Sequence, residues 1–410
     1  MAAVLEPTTA ATAVSPAPAA ARAAALAELP PPLDGDELLA AVRQVAEGPL
    51  AAVADAVDRQ GTYPEAVLRE LGRLGALQCH HADRGMPAAG ADYGLAIRAM
   101  AEVSRVCGAT GFMTWCHMVC GLYMEQSGNP ALVGDALRRH GRALTMGATG
   151  MSNPMKSFAG IEQFLLRAVP DGDGYRVSGT LPWVSNLGDD HYFGVVAPVV
   201  AADGTPVLRD GAPHEVMFLV HCDADGVERR DCPSFSAMEG TNTWAVRLAN
   251  YRVGAEQLLA DPARPFIARI RGAFVLLQAG MAVGITQGAI DSMWAVEPQL
   301  GHVNRFLDDR PDTLQAELDA LTARVMALAR NPFETDPEFF VDVLDARAHG
   351  AELSLRAAQS ALLHAGARGY LMSSPVQRRV RESHFVAIVT PAIKHLRKEI
   401  ARLSTPVMPA

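Results

Sequence analysis

The spacing of apolar residues changes twice along the chain, and the order of these changes restricts the folds that it can adopt. Residues 36–142 repeat apolar side chains at intervals of three and four, which is typical of amphipathic helices. After a turn at residues 171–174 the pattern alternates through residue 255, which is typical of strands. From residue 261 the helical spacing returns, with a stripe of apolar residues at 314–328.

This order predicts an α+β multidomain protein. We expect an N-terminal helical domain over residues 36–145, a central β domain over 146–255 and a C-terminal four-helix bundle over 256–405. Residues 1–35 are rich in Ala and Pro and are expected to form a disordered tail, because they contain too little apolar surface to order themselves.

Composition and charge exclude several classes of protein. The net charge is −9 and no block of Lys and Arg stands out, so the sequence does not favour a nucleic-acid partner. The apolar run at residues 274–285 contains Gly and Gln and is shorter than the roughly 20 residues of a membrane span. The six scattered cysteines do not resemble a disulfide framework. No basic segment precedes an apolar core near residue 1, so we expect a cytoplasmic protein.

The short cluster of Cys116, His117 and Cys120 contains residue types that bind metal ions. Cys116 and Cys120 would share a helix face, but His117 would point elsewhere and no second pair accompanies them. We therefore expect buried core side chains here and no metal site.

Three segments, in the predicted helical, β and helical contexts, resemble those of one family. They are "LRELGRLGALQCHHADRGMPAAGADYG" with "MAEVSRVCGATG", then "GYRVSGTLPWVSN", then "AGARGYLMSSPVQRRVRE". Over residues 36–403 the chain thus resembles the acyl-CoA dehydrogenase superfamily. The resemblance implies bound FAD, with FMN as the alternative, and a homodimer or homotetramer. It also implies an acyl thioester or other small-molecule substrate, and an electron acceptor or flavin reductase as partner.

The same resemblance implies which residues meet the flavin ring. In "PWVSN", Trp183 would lie against the isoalloxazine face and the Ser185 hydroxyl would meet the ring edge near N5. In "TGMSNP", Ser152 and the backbone near Met151 would meet the pyrimidine ring.

In "AGARGY", Gly366 and Gly369 would meet the adenine end of FAD from a neighbouring subunit. The alternative is that Gly366 ends a helix, and the sequence does not decide between the two interpretations.

The chain departs from the family at the catalytic base. In "AIVTPA", Thr390 takes the place of the usual Glu, and a threonine hydroxyl cannot act as a base near neutral pH. The second location used for that Glu falls near Phe274, which cannot act either. Glu239 and His384 remain as candidate proton-transfer residues, with an ordinary surface position as the alternative for both.

Two further departures concern the ligands. In "KSFAG", Phe158 stands where the family has a Ser that meets the CoA portion of the substrate. The Arg-x-x-Phe pair that meets the FAD pyrophosphate is replaced around Pro298 and Leu300. These changes leave CoA recognition, and the choice between FAD and FMN, open.

Three functions follow from this pattern. The first is a flavin-dependent oxidoreductase acting on an acyl thioester, bound to CoA or a carrier protein, with a non-standard base. The second is a flavin monooxygenase using reduced flavin and O2, favoured by the missing base. The third is a non-catalytic binding homologue, against which Trp183, Ser185 and Ser152 argue. The complete "PWVSN" and "ARGY" segments favour the first function by a small margin.

Overall fold

The computed structural model describes Leu26, residues 28–86 and residues 90–405. Most of the predicted disordered tail, and the C-terminal residues 406–410, lie outside the described residues. Helices, then strands, then helices follow one another, which confirms the predicted fold class. The domain limits at residues 145 and 255 stay predictions.

The N-terminal region consists of helices that bury one apolar face each. In α3, Val67, Leu68 and Leu71 are buried on one side, and the helix ends at Gly75, whose φ of 94° favours glycine. The helices are α1 (Gly35–Val45), α2 (Ala51–Gln60), α3 (Glu65–Leu74), α4 (Tyr93–Val106), α5 (Gly108–Ser127) and α6 (Asp135–Gly141), with a π-helical turn at Ala46–Leu50 between α1 and α2.

Helix α5 is buried on all sides from Gly108 to Met124. Within this helix the Thr114 hydroxyl donates to the Thr110 carbonyl at 3.0 Å. Cys116 and Cys120 are packed core side chains. Among the described residues, no group of three or more His, Cys, Asp or Glu side chains could hold a metal ion.

The β region contains two four-stranded sheets and a short hairpin. The first sheet has the order β1-β4-β7-β10, with β1 parallel to β4, and the second is the antiparallel sheet β2-β3-β9-β8. The strands are β1 (Gly147–Thr149), β2 (Leu166–Asp171), β3 (Gly174–Val184), β4 (Tyr192–Pro198), β5 (Leu208–Arg209), β6 (Ala212–Pro213), β7 (Glu215–His221), β8 (Val227–Asp231), β9 (Trp244–Val253) and β10 (Leu258–Ala260). A short helix, α7 (Ser152–Phe158), follows β1.

The first sheet is buried on both faces. In β7, Val216 and Phe218 pack into the core shared by the two sheets, whereas Met217 and Leu219 pack into the helical core. This double burial explains why β4 and β7 read as continuous apolar runs. It also fixes the β region against the helices through a shared core.

The C-terminal region is a helical bundle whose central helix is broken at one residue. Within the apolar run at residues 274–290, helix α8 (Ala263–Leu277) ends and helix α9 (Ala279–Asn304) begins, with Gln278 between them. Together they are long and apolar enough to cross a membrane, with a mean hydropathy of 1.6, yet 89% of that window is buried within the protein. The helices are α8 (Ala263–Leu277), α9 (Ala279–Asn304), α10 (Pro311–Leu328), α11 (Pro337–Ala365), α12 (Pro375–Ile388) and α13 (Ile393–Ser404).

One arginine joins all three regions. Arg381 lies on α12. Its Nη1 donates to the Asp58 carboxylate of α2 at 2.7 Å and to the Ser236 carbonyl of the β region at 3.1 Å. Because Asp58 is buried, removing Arg381 would leave a carboxylate without its partner.

Four buried histidines lie where the N-terminal helices meet β1 and β4. The His117 and His140 rings stack at 3.8 Å, and His81 lies 6.4 Å from His140 and 4.3 Å from His80. Burial lowers the pKa of all four, to about 4 for His140 and about 3 for His80. Arg84, which is also buried, lies close enough to His81 to disfavour its protonation further.

The hydrogen bonds of His117 require a neutral ring. His117 Nδ1 accepts from the Gly147 amide at 3.1 Å, so Nε2 carries the proton and donates to the His140 carbonyl at 2.8 Å. His140 Nε2 donates to the His117 carbonyl at 2.9 Å, and its Nδ1 accepts from Tyr192 at 2.7 Å. Protonating His117 Nδ1 would break its bond to the first residue of β1.

We predict that the histidine cluster makes the fold sensitive to acid. Because the pKa of His140 is depressed on folding, its contribution is complete above about pH 6.5 and declines below it, by roughly 3 kcal/mol at pH 4. Urea unfolding of His140→Gln at pH 7.5, 6.0 and 5.0 should show a lower but flatter stability profile than that of the unaltered protein. His384→Gln, at an exposed position, is the control and should keep the steep profile. Equal slopes for both variants would contradict the prediction.

Candidate functional site

The end of β1 and the end of β3 lie side by side. Gly150 follows β1 and is packed so tightly that a Cβ there would lie 3.2 Å from Leu181 and 3.1 Å from Phe193. This contact brings Met151 and Ser152, which follow Gly150, to the same edge of the β region as Trp183 on β3.

A second link holds the same edge together. Asn186 Nδ2 donates to the Gly147 carbonyl at 2.8 Å, while the Tyr63 hydroxyl donates to Asn186 Oδ1 at 2.8 Å. His117 accepts from the Gly147 amide. Gly147 is therefore held by the N-terminal helices on one side and by the segment that contains Ser185 on the other.

Two hydroxyl groups connect the β region to the bundle. Ser152 Oγ and Thr390 Oγ1 lie 3.0 Å apart, although 238 positions separate them in the sequence. Thr390 lies between α12 and α13, and Gln278 Nε2 donates to its carbonyl at 2.8 Å. Thr390, which replaces the usual Glu, is thus held by Ser152 through its hydroxyl and by Gln278 through its carbonyl.

Trp183 and Ser185 complete this edge. The Trp183 side chain is 54% exposed and lies 6.4 Å from the Phe235 ring, and such a flat apolar surface is unusual at the end of a strand. The Ser185 hydroxyl lies 2.7 Å from that of Thr243. The contacts of Gly147 and Gly150 therefore place the segment that contains Met151 and Ser152 near the strand end that carries Trp183 and Ser185.

The other two predicted flavin residues lie elsewhere. Gly366 ends α11 with a φ of 61°, and Gly369 follows in a short 3₁₀ turn. Arg347, on the same helix, contacts Gln278, so the helical rise puts Gly366 about 28 Å from that point. Within one chain these glycines do not join the Trp183 edge. The conformation of Gly366 is that of a residue that ends a helix.

Neither family position for the base holds an acid. Thr390 is paired with Ser152, and Phe274 packs edge-on against Trp115 at 5.1 Å and stacks with Tyr123 at 6.4 Å. The Tyr123 hydroxyl reaches Thr149 Oγ1 at 2.9 Å, and burial holds the pKa of Tyr123 well above its ordinary value. On this side of the site, Phe274, Trp115 and Tyr123 form an aromatic wall, and the Tyr123 hydroxyl stays protonated.

The two substitute bases are not beside Thr390. Glu239 is half-buried, and its carboxylate accepts from the Phe235 amide within its own loop. Because Phe235 lies against Trp183, that loop borders the site from the β side. His384 is exposed on α12. Their proposed proton-transfer roles stay predictions.

Sequence reasoning missed two residues that contact this region. Gln278 bridges Thr390 and the buried Arg347, whose Nε donates to Gln278 Oε1 at 2.9 Å. The available signal was a single amide side chain within an otherwise apolar run at residues 273–285. Arg347 gave no signal, because its helix contains many charged residues.

The residues at this edge fit a flavin ring. An isoalloxazine needs a flat apolar surface on one face and hydrogen-bonding groups along its edge. Trp183 offers the surface, and the half-buried hydroxyls of Ser185, Ser152 and Thr390 offer donors and acceptors.

Comparison with known proteins agrees with this geometry. The family model for the acyl-CoA dehydrogenase N-terminal domain matches residues 34–140, and that for the acyl-CoA dehydrogenase C-terminal domain matches residues 276–390, together more than half of the chain. The chain belongs to the acyl-CoA dehydrogenase superfamily. Members of this family are flavin-dependent oxidoreductases, and the chain is an acyl-CoA dehydrogenase-like flavoprotein.

Individual relatives include both dehydrogenases and a monooxygenase. A probable acyl-CoA dehydrogenase of Bacillus subtilis, YngJ, is 24% identical over 372 residues, which cover 88% of this chain and 95% of that protein. Butyryl-CoA dehydrogenase from Megasphaera elsdenii has a TM-score of 0.75 at 18% identity, covering 90% and 99% of the two chains. The dibenzothiophene monooxygenase TdsC from Paenibacillus sp. A11-2, solved with FMN and indole, has a TM-score of 0.72 at 16% identity, covering 89% and 96%.

We predict that Trp183→Ala and Ser185→Ala weaken flavin binding without unfolding the β region. Loss of the Trp183 surface should raise the Kd about tenfold, and loss of the Ser185 hydrogen bond about fivefold. The measurement is a fluorescence titration with FAD and with FMN, with circular dichroism as the check on folding. Trp294→Ala removes an equally exposed Trp from α9 and is the control. If Trp183→Ala and Trp294→Ala bind flavin equally well, the site is misplaced.

Proposed function

We propose that this protein is a flavin-dependent monooxygenase built on the acyl-CoA dehydrogenase fold, which uses reduced flavin and O2. The observation that carries the proposal is the state of both base positions: Thr390 is bonded to Ser152 and Phe274 is packed among aromatic rings. Dehydrogenation of a thioester requires removal of an α-proton, which neither residue can accept. The geometry thus reverses the small preference that the sequence gives to dehydrogenation.

The proposed reaction balances with three reactants. A bound reduced flavin would supply two electrons and two protons to O2, so that one oxygen atom would enter the substrate and the other would leave as water. Such a cycle needs a reductase partner that delivers the reduced flavin. FAD is the proposed cofactor and FMN the alternative, since the pyrophosphate contact is altered around Pro298 and Leu300.

The chain's own residues have simple tasks in this scheme. Trp183 would cover one face of the ring and exclude water from it. Ser152 and Thr390 would donate hydrogen bonds to polar atoms at its edge. Tyr123 keeps its proton because burial raises its pKa, so its hydroxyl can hold a hydrogen bond, as it does with Thr149, and cannot act as a base.

The surroundings of Phe158 favour a substrate without CoA. Phe158 packs edge-on against Phe164 at 5.4 Å, and the Arg264 guanidinium lies over its ring at 4.8 Å. Lys398 on α13 donates to the Ala159 carbonyl at the end of α7, which ties this segment to the bundle. A bulky, packed side chain thus occupies the position where the resemblance implies a contact to CoA. Together with the aromatic wall, this supports a small, largely apolar substrate.

Thioester dehydrogenation remains the second candidate because of one specific contact. The Glu239 loop borders the site through Phe235 and Trp183, so a modest movement would bring a carboxylate towards the flavin edge. The substrate would then be an acyl thioester on CoA or a carrier protein.

The assembly and location are also proposals. Exposed apolar side chains on the bundle, among them Phe306 at 75% and Tyr370 at 74%, support a homodimer or homotetramer, because monomers seldom leave such groups in water. We propose a cytoplasmic location, in keeping with six reduced cysteines.

One experiment separates the two functions. The purified protein is loaded with flavin and mixed without oxygen with acyl thioesters of several chain lengths, and flavin absorbance is followed. In parallel it receives NADH, a flavin reductase, O2 labelled with ¹⁸O and a panel of small aromatic compounds, and products are analysed by mass spectrometry. We expect no bleaching by thioesters and incorporation of one ¹⁸O atom.

Three variants sharpen the result. Thr390→Glu places a carboxylate at the family's base position; the dehydrogenase alternative predicts that it adds thioester-dependent bleaching, whereas the proposed substrate without CoA predicts none. The proposal is overturned, and dehydrogenation established, by two results together. Thioesters bleach the flavin of the unaltered protein with no ¹⁸O product, and this bleaching is lost in Glu239→Gln and kept in His384→Ala.

A further inference from the structure

A buried arginine lies directly behind the Thr390 segment. Arg347 is on α11 and is among the largest fully buried side chains. Its Nε donates to Gln278 Oε1 at 2.9 Å, and an Nη2 donates to the Val386 carbonyl at 2.7 Å. Among the residues that the structure describes, none of the ion pairs involves Arg347, and its Nη1 has no hydrogen-bond partner.

An isolated buried cation is costly, so its position needs a physical reason. Burial lowers the pKa of Arg347 to about 10, which leaves it charged at neutral pH. The Val386 carbonyl belongs to the last turn of α12, where the helix dipole favours a cation. This contact offsets part of the cost but does not explain why the second contact goes to Gln278.

The contact between Arg347 and Gln278 fixes the orientation of the Gln278 side-chain amide. Because Arg347 can only donate, Gln278 must present Oε1 to it. Gln278 Nε2 then points the other way and donates to the Thr390 carbonyl at 2.8 Å. Both partners require this one orientation of the amide, because the guanidinium can only donate and the Thr390 carbonyl can only accept.

We propose that Gln278 and Arg347 are positioning residues that hold Thr390 against Ser152 and thereby set the edge of the flavin site. Gln278, which joins α8 to α9, is fully buried, so its amide is held between Arg347 and the Thr390 carbonyl. Through the hydroxyl pair, one continuous set of contacts runs from Arg347 to the β region. The inference rests on the proposed flavin site, which it deepens.

The test is a substitution that separates stability from positioning. Gln278→Glu gives Arg347 a carboxylate partner, so the melting temperature should stay the same or rise. The carboxylate cannot donate to the Thr390 carbonyl, so that segment should move away from Ser152. We expect flavin affinity to fall about tenfold and amide hydrogen exchange in residues 389–393 to become at least tenfold faster. A merely structural role would change stability and affinity in the same direction.

Gln359→Glu makes the same chemical change at an exposed position of α11 and should alter neither readout. Flavin affinity within twofold of the unaltered protein, together with unchanged exchange at residues 389–393, would overturn the proposal. If Gln278→Glu does not fold, Arg347→Lys decides. This substitution keeps the charge but cannot make both hydrogen bonds, to Gln278 and to the Val386 carbonyl. Faster exchange at residues 389–393 supports the proposal, and unchanged exchange overturns it.

Exchange is measured on flavin-free protein, which keeps this test independent of the proposed function. If the unaltered protein bound no flavin, the proposed function would fail, while the exchange comparison would still decide whether Gln278 and Arg347 position Thr390.

Discussion

Three glycines on one face of α9 determine how closely the N-terminal helices approach the bundle. Gly280, Gly284 and Gly288 lie against α4, and a Cβ at any of them would collide with a backbone carbonyl oxygen of that helix. Only glycine permits this approach, since every other residue carries the colliding atom. With α4 held there, α5 packs beside α8, and its aromatic side chains reach Phe274 and the site.

The site itself lies where the doubly buried first sheet ends against the bundle. Its polar groups are hydroxyls and one amide, and the only charge directly behind it, among the described residues in contact with Gln278, is the cation of Arg347. A carboxylate in this setting would abstract protons, whereas hydroxyls can only orient and donate. The chemistry proposed for this member of the family thus follows from the loss of one acidic side chain within a retained fold.

Much of this structure could be predicted from local sequence patterns. Periodicity predicts the helices and strands, and the segment "PWVSN" indicates Trp183 and Ser185, whose role at the flavin stays a prediction. The contacts between Ser152 and Thr390, and between Gln278 and Arg347, could not be predicted, because they join residues that no local pattern links. His384 is exposed on α12, and its proton-transfer role stays a prediction. The break at Gln278 was missed because the apolar residues on both sides keep a helical period.

The central claim is that Trp183, Ser152 and Thr390 border the flavin in a site that lacks a carboxylate base. A crystal structure of the flavin-bound protein tests it most directly. The account predicts that the isoalloxazine ring lies against Trp183, that its pyrimidine edge is within hydrogen-bond distance of Ser152, and that Gln278 still contacts the Thr390 carbonyl. A ring bound elsewhere, or the Glu239 carboxylate within reach of flavin N5, would contradict it.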